Sequence, residues 1–226
     1  MGWFDGSALG NAKKVECTGL GIINIMSKYP DMKPQHYMLV RSERLLLRPV
    51  VTEDLYALHR MRLNPKVMRF MPGVEKEQEA LKSYSVRRIE FMMMEDQFSF
   101  AVVLPNQERR PSGPDALKDE TVIGFVGITQ PPEVFYIFDE EYWGHGYATE
   151  ALRSFLNTYW ATFPSGLIIM SEKERDHLEA HVHDGNEGSE RVATKCGFVH
   201  VGNGFARAHG ADVGNKIYRV QRPSSA

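Results

Sequence analysis

The sequence has few cysteines, no long apolar run and no excess of charge of either sign, and each absence excludes a class of protein. Two cysteines among 226 residues, Cys17 and Cys196, are too few and too far apart for a disulfide framework. We therefore expect free thiols in a reducing, cytoplasmic environment. No apolar run reaches the roughly 18 residues that a membrane span needs. The net charge of −2 indicates no nucleic-acid surface, and the N-terminus does not resemble a secretory signal.

What the sequence does contain is enough apolar residues for one folded domain. Hydrophobic residues make up 42% of the chain, which at this length can bury a sizeable core. We expect a domain over residues 38–222, with an N-terminal extension over residues 1–37 and a short tail at residues 223–226. Residues 105–120 are rich in Pro, Arg and Asp, and we expect them to form an exposed, mobile hairpin extension.

Periodic apolar patterns predict the coarse secondary structure of this domain. Alternating apolar residues predict strands over residues 45–50, 98–104 and 121–129. Helical spacing predicts helices over residues 54–69 and 75–94. Within the third strand, Gly124 and Gly127 indicate a close approach of another backbone or a bulge.

Residues 141–152, which read E-Y-W-G-H-G-Y-A-T-E-A-L, are the most informative part of the chain. A strand-like run over residues 134–138 precedes Gly144 and Gly146, and the apolar positions that follow have the spacing of an amphipathic helix. A glycine-rich turn that leads into a helix presents unpaired backbone N–H groups and the positive end of the helix dipole. Such a turn binds phosphate, and a pyrophosphate is the natural occupant here.

Two common phosphate-binding motifs do not fit this segment. The dinucleotide fingerprint G-x-G-x-x-G requires a third glycine where the chain has Thr149, and it places the first glycine directly after the strand. Here residues 139–143 intervene. The Walker loop is excluded as well, because no Gly-Lys-Ser or Gly-Lys-Thr follows.

The segment resembles the pyrophosphate loop of the GNAT superfamily of acyl-CoA N-acyltransferases, written Q/R-x-x-G-x-G/A. The matching residues are 143–148, W-G-H-G-Y-A, and residues 149–152 resemble the T-E-A-L of the RimJ/RimL-like branch. Upstream, residues 133–136 are similar to the E-L-G-Y stretch that begins the family's central splayed strand. Trp143 replaces the usual Gln or Arg. Because the loop binds through backbone amides, we expect the Trp143 side chain to contribute little.

Two further blocks of the same branch stand in the correct order. Residues 186–198 resemble its N-x-x-S block followed by V-L-x-K-x-G-F, and residues 42–55 resemble its first strand and helix. The resemblance implies one α/β (α+β) domain with a mixed, mostly antiparallel twisted sheet whose central strands splay apart between flanking helices. It also implies that acetyl-CoA is the co-substrate and that an amine acceptor attacks it directly within a ternary complex. The acceptor, a protein N-terminus or a small-molecule amine, stays open, as does the choice between monomer and homodimer.

The resemblance assigns the cofactor-binding residues. The backbone of Tyr136, Ile137 and Phe138 is expected to bind the pantetheine arm. Asn186 is expected to hold pantetheine or to order its own turn. The pyrophosphate is expected to bind at Trp143, Gly144, His145, Gly146, Tyr147, Ala148 and Thr149.

Two residues are candidates for catalysis. Glu133 begins the splayed strand and is a candidate for the base or for amine recognition; the alternative is a solvated carboxylate at a strand end. Ser189 matches the serine of N-x-x-S, which is proposed in this branch as the proton donor to the thiolate. The alternative for Ser189 is a helix N-cap. No tyrosine directly follows Ser189, although tyrosine serves as the acid elsewhere in the superfamily.

A row of histidines supports different chemistry. On a strand over residues 176–184, one face would carry His177, Glu179, His181 and His183. His181 and His183 could ligate zinc in a metal-dependent hydrolase, although the spacing is not that of H-E-x-x-H. A polar surface is the simpler interpretation, and no metal is expected. The histidines could instead contact substrate or act as bases, because the resemblance implies that this strand borders the acceptor cleft. A third possibility is a non-catalytic acyl-CoA-binding module on the same fold.

Overall fold

Alternating apolar residues build one eight-stranded sheet in the computed structural model, which describes residues 38–71, 78–94, 97–105, 121–167, 171–208 and 211–224. The sheet order is β1-β2-β3-β4-β5-β6-β8-β7, and only β5 and β6 pair in parallel. This mixed, mostly antiparallel sheet confirms the predicted fold class. The strands are β1 (Val40–Arg41), β2 (Leu46–Pro49), β3 (Ser99–Leu104), β4 (Thr121–Gln130), β5 (Glu133–Phe138), β6 (His177–His183), β7 (Val199–Ala208) and β8 (Ala211–Gln221).

Five α-helices and two short 3₁₀ helices accompany these strands in the described part of the chain. The α-helices are α1 (Leu55–Leu63), α2 (Pro65–Met68), α3 (Gln78–Met93), α4 (Tyr147–Thr162) and α5 (Glu187–Lys195). The 3₁₀ helices are Thr52–Asp54 and Glu140–Tyr142. The prediction of one helix over residues 54–69 was wrong. Pro65 disfavours helical geometry at the preceding residue, so Asn64 is extended, with ψ 112°.

The sheet buries both faces, and each face has its own core. Against one face, α1 and α3 pack with Phe125 and Ile137, while Phe135 lies at the edge of the same cluster. Against the other, α4 packs with the alternate residues Val134 and Phe138. The period of two along β5 thus directs successive side chains to opposite layers of the domain.

The predicted close approach at Gly124 is confirmed. A Cβ atom built there would lie 2.6 Å from the carbonyl oxygen of Ile137 and 2.6 Å from a ring carbon of Phe138. No side chain fits in that space, so glycine allows β4 to hold the C-terminal end of β5 in position. This is the end that leads into the glycine turn.

Two of the sequence-based expectations, the extension over residues 1–37 and the hairpin over residues 105–120, lie outside or almost wholly outside the described residues. Within the described ranges, no helix combines the length and apolar character required to cross a bilayer.

Candidate active site

A gap opens in the middle of the sheet, between β5 and β6. The two strands share one registered pair, Glu133 with Glu179, next to a hydrogen bond from the Glu179 N–H to the Pro132 carbonyl. Beyond this junction β6 pairs only with β8 among the described strands, and within these strands the C-terminal half of β5 has a free edge towards the gap. This is the predicted splay of the central strands.

The register of β5 decides which of its peptide groups face the gap. Asp139 donates its backbone N–H to Ile123 at 2.9 Å, which directs the peptide groups of Ile137, two residues earlier, towards β4 as well. The peptide groups of Tyr136 and Phe138 therefore face the gap. The peptide groups of Ile137 already pair with β4 within the sheet. Of the three residues expected to bind the pantetheine arm, only Tyr136 and Phe138 therefore present their peptide groups to the gap.

The glycine turn connects this free strand edge to the N-terminus of α4. Gly144 and Gly146 have positive φ angles of 78° and 82°, which L side chains rarely adopt, and Gly146 is the N-cap of α4. No side chain in the described part of the chain caps this helix end. The first N–H groups of α4 are consequently available to an anion from outside the chain.

A cavity of about 730 Å³ joins the gap, the glycine turn and the start of α5. It brings together all of the sequence-predicted site residues except His145 and Glu133. The predicted residues in its lining are Tyr136, Ile137, Phe138, Trp143, Gly144, Gly146, Tyr147, Ala148, Thr149, Asn186 and Ser189.

His145, which is expected to bind the pyrophosphate, lies outside this lining. Its ring stacks on Tyr147 with the centroids 5.7 Å apart, and its carbonyl accepts a hydrogen bond from Arg44 at 2.9 Å. Arg44 also donates its Nε–H to Glu150 at 2.8 Å and lies over the Tyr147 ring. Glu150 stands on the first turn of α4. Arg44 thus ties the glycine turn to the helix that follows it.

Replacing Arg44 with Gln is expected to weaken acetyl-CoA binding without unfolding the domain. A hydrogen bond to a charged group contributes about 1.5–3 kcal/mol, but Arg44 is partly exposed and solvent screens the interaction. We therefore expect a loss of about three- to tenfold in affinity, measured by calorimetry. Arg44→Lys keeps the charge and loses the planar donor pair, so it should fall between the wild type and Gln. Equal affinity in all three proteins would show that the turn holds its shape without Arg44.

The side chain of Trp143 has a function that the sequence did not predict. Its indole N–H donates to the carbonyl of Phe138 at 2.9 Å, although the ring is 46% exposed. One of the two carbonyls on the free strand edge is thereby satisfied within the chain. The polar groups of the edge that stay available are the N–H and carbonyl of Tyr136 and the N–H of Phe138.

The N-terminus of α5 forms the opposite wall of the cavity. Asn186 is its N-cap, and its side-chain oxygen accepts the N–H of Ser189 at 3.2 Å. The N-cap alternative for Ser189 is therefore wrong, because Ser189 is the third residue of the helix. Tyr136 donates its hydroxyl to the Ser189 carbonyl at 3.1 Å, and burial raises the pKa of Tyr136 to about 12. A hydrogen bond between the Tyr136 hydroxyl and the Ser189 side chain opposes this rise in the pKa of Tyr136.

Sequence reasoning missed the basic rim of the cavity. Lys66 and Arg69 come from α2 and the residue after it, while Arg191 and Lys195 come from successive turns of α5. Lys66 forms an ion pair with Glu140, and this hydrogen bond lowers the pKa of Glu140. No local motif marks these four residues. They meet only because α2 and α5 lie on either side of the gap.

Glu133 lies on the other face of the sheet, with the histidine row of β6. Its carboxylate is 4.0 Å from His181, and burial raises its pKa while the neighbouring His181 opposes that shift. The predicted strand over the histidines is confirmed as β6. In the described ranges, no three His, Cys, Asp or Glu side chains are arranged to hold a metal ion. The geometry of the row therefore gives the hydrolase alternative no support.

Cys196 follows α5 and is a free cysteine, as expected; Cys17 lies outside the described residues. Its thiol contacts the carbonyl of Thr149 at 3.5 Å. Burial raises the pKa of Cys196 to about 11, which disfavours the reactive thiolate form at neutral pH.

Comparison with known proteins is consistent with this geometry. An acetyltransferase (GNAT) domain model matches residues 44–199. Among solved structures, a GNAT-family acetyltransferase from Bacillus anthracis is 19% identical with a TM-score of 0.58, over 82% of this chain and 99% of that one. The ribosomal-protein-S5-alanine acetyltransferase from Vibrio fischeri is 20% identical with a TM-score of 0.56, over 82% and 97%.

A third solved structure was determined with a ligand. The microcin C7 self-immunity acetyltransferase MccE, in complex with acetyl-CoA and AMP, is 15% identical with a TM-score of 0.58, over 80% of this chain and 93% of that one. At these identities the likeness establishes the fold. No curated protein sequence matches the chain. The domain model spans more than half of the 226 residues, and the chain therefore belongs to the GNAT acetyltransferase family.

Proposed function

We propose that this protein transfers the acetyl group of acetyl-CoA to an amine by direct attack within a ternary complex. The observation that carries this proposal is the single cavity that joins an uncapped, glycine-rich helix N-terminus to a free strand edge. An anion binder and a peptide-like binder in one cavity suit a ligand with a pyrophosphate at one end and two amide groups along its length.

Different residues would hold different parts of acetyl-CoA. The amides of Gly144, Gly146 and the first turn of α4 suit the pyrophosphate, and the basic rim adds complementary charge. The free peptide groups of Tyr136 and Phe138 suit the amides of the pantetheine arm, which would then lie along β5 like an added strand. Because the turn follows the C-terminal end of β5, the arm would run back towards Glu133, and the thioester would lie near the junction of β5 and β6.

Acyl transfer to an amine makes two demands on the chain. An alkylammonium has an ordinary pKa near 10, so a base must remove a proton before attack. Glu133 lies at the junction and is the proposed site of amine recognition or proton transfer. The departing thiolate needs a proton donor, and the hydroxyl of Ser189 in the cavity lining suits that role. The acceptor would be a protein N-terminus or a small-molecule amine.

Acetyl-CoA is expected to raise the melting temperature of the purified protein. A ligand that binds only the folded state at one hundred times its dissociation constant stabilises that state by about 2.7 kcal/mol. NADH is the matched control, because it also carries a pyrophosphate but lacks the pantetheine arm. A shift with NADH that equals the shift with acetyl-CoA would mean that the strand edge contributes nothing to recognition.

Turnover separates an enzyme from a non-catalytic acyl-CoA-binding module. A library of amines, including short peptides with free N-termini, amino acids and polyamines, would be screened for release of free CoA. Release above the rate of spontaneous hydrolysis with at least one amine supports the proposal. Acetyl-CoA binding without such release from any amine would favour the binding module.

A further inference from the structure

Four side chains contact one another in sequence across the sheet: Arg219, Glu179, His181 and Glu133. Arg219 on β8 donates two hydrogen bonds to Oε1 of Glu179, at 3.1 and 2.6 Å. The other oxygen of Glu179 lies 3.0 Å from Nε2 of His181. The second ring nitrogen of His181, Nδ1, lies 4.0 Å from the Glu133 carboxylate. These four side chains come from three adjacent strands, so the sheet itself fixes their spacing.

This arrangement determines which nitrogen of His181 carries the proton. Burial alone would raise the pKa of Glu179, but hydrogen bonds from His181 and Arg219 lower it below its ordinary value. An ionised Glu179 can only accept hydrogen bonds, so Nε2 of the neutral imidazole carries its hydrogen. Nδ1 is then left with a lone pair, and this lone pair is the free basic nitrogen beside Glu133. A carboxylate that holds one ring nitrogen while the other accepts a proton is the arrangement of a histidine base.

The position of His181 fits contact with an acceptor. Leu178, Ala180 and Val182 pack into the core on the α4 side, so His181 and the other odd-numbered residues of β6 face the α3 side with Glu133. His181 is two residues beyond the registered pair of β5 and β6, where the gap begins. Its side chain is 30% exposed, so an incoming amine and solvent can both reach the imidazole.

We propose that His181 accepts the proton from the acceptor amine, while Glu133 holds the ammonium group and Glu179 with Arg219 orients the imidazole. This inference rests on the proposed acetyltransferase function. One N–H bond of the ammonium breaks and an N–H bond forms at Nδ1, which gives an imidazolium. The neutral amine then forms a C–N bond with the thioester carbon, and the C–S bond breaks with its electron pair on sulfur. The nitrogen releases its second proton to solvent, the Ser189 hydroxyl gives a proton to the thiolate and regains one from solvent, and the imidazolium returns its proton to solvent.

Two physical arguments favour histidine over Glu133 as the base. A general base is most effective when its pKa is close to the working pH, which an imidazole ordinarily meets. Glu133 lies 4.0 Å from Nδ1, a position from which its carboxylate can attract the ammonium and stabilise the imidazolium as it forms. The charged and titratable groups that face this site are Glu133 on β5, Arg219 on β8, Arg88 on α3, which lies over the Phe135 ring, and His177, Glu179 and His183 on β6.

The pH dependence of kcat/KM tests the division of roles, with any amine that the library screen identifies. His181→Gln is expected to lower kcat/KM at pH 8 by at least a hundredfold and to remove the rising limb of the pH profile. Glu133→Gln should keep that limb and mainly raise KM for the amine. Glu179→Gln should move the limb to lower pH, because the imidazolium loses its anionic partner. His183→Gln is the control on the same strand face, and its profile should match the wild type.

Each outcome is decisive. If the His181→Gln profile keeps its limb and stays within fivefold of the wild type, the inference is overturned while the proposed function stands. If the wild type releases CoA with no amine at any pH, the proposed function fails, and the inference fails with it. A measurement without substrate is also available: ¹⁵N NMR of the imidazole at pH 8 should show the hydrogen of His181 on Nε2. A hydrogen on Nδ1 would overturn the assignment of the free nitrogen.

Discussion

Gly146→Asp is expected to abolish acetyl-CoA binding while the domain stays folded. Gly146 is the N-cap of α4 with φ 82°, and a Cβ atom built there would lie 3.5 Å from Nη2 of Arg44. An Asp at this position would bring a negative charge to the helix end where the pyrophosphate is proposed to bind. The like charges repel, and the backbone can no longer approach the phosphate closely. Asp tolerates a positive φ better than most residues, so the fold should survive. Calorimetry with acetyl-CoA measures the binding, and circular dichroism follows the fold.

Gly202→Asp is the matched control for this variant. Gly202 lies on β7, away from the cavity lining, and a Cβ atom built on it has open space around it. The same change of charge there should leave acetyl-CoA affinity within twofold of the wild type. Retained binding in Gly146→Asp would mean that the glycine turn does not contact the pyrophosphate.

Ser189→Ala is expected to lower kcat by a factor of about 10²–10⁴, the range of a general acid, while acetyl-CoA binds nearly as before. The stability of α5 should stay nearly unchanged, because Asn186 rather than Ser189 caps its N-terminus. Rate measurements under saturating substrates, together with a denaturation curve, separate catalysis from stability.

Asn186→Ala is the control variant for the loss of the helix cap. It removes the acceptor of the Ser189 N–H and should cost about 1 kcal/mol of stability. Ser189→Ala should cost much less. A fall in kcat below about fivefold in Ser189→Ala would assign the serine to the wall of the cavity and leave the thiolate to solvent.

The sequence predicted the parts of the site that depend on short stretches of chain. The glycine turn and the start of α4 are contiguous in the chain, so the spacing of their glycines and apolar residues is enough to predict a turn followed by a helix. The cap at Asn186 is equally local, and the sequence erred only in assigning the cap alternative to Ser189. The alternation along β6 likewise identified which residues share a face.

The remaining features depend on contacts between segments far apart in the chain. Arg44 meets His145 only because the start of the domain packs against α4, a separation of about one hundred residues. His181 meets Glu133 because β5 and β6 are parallel neighbours, and nothing in either segment specifies that pairing. Trp143 departs from the family motif, so the resemblance gave no indication of its hydrogen bond to Phe138.

The gap between β5 and β6 opens to both faces of the sheet. On one face lie the glycine turn, α4 and α5; on the other lie Glu133, the histidine row and α3. The residues proposed to handle the cofactor and those proposed to handle the acceptor are thus separated by a sheet and share only the gap. Substitutions on the α3 side can change which amine is accepted without altering the cofactor site. The acceptor specificity of such a protein can change while its glycine turn is conserved in pattern. For this reason the sequence predicts the cofactor more readily than the acceptor.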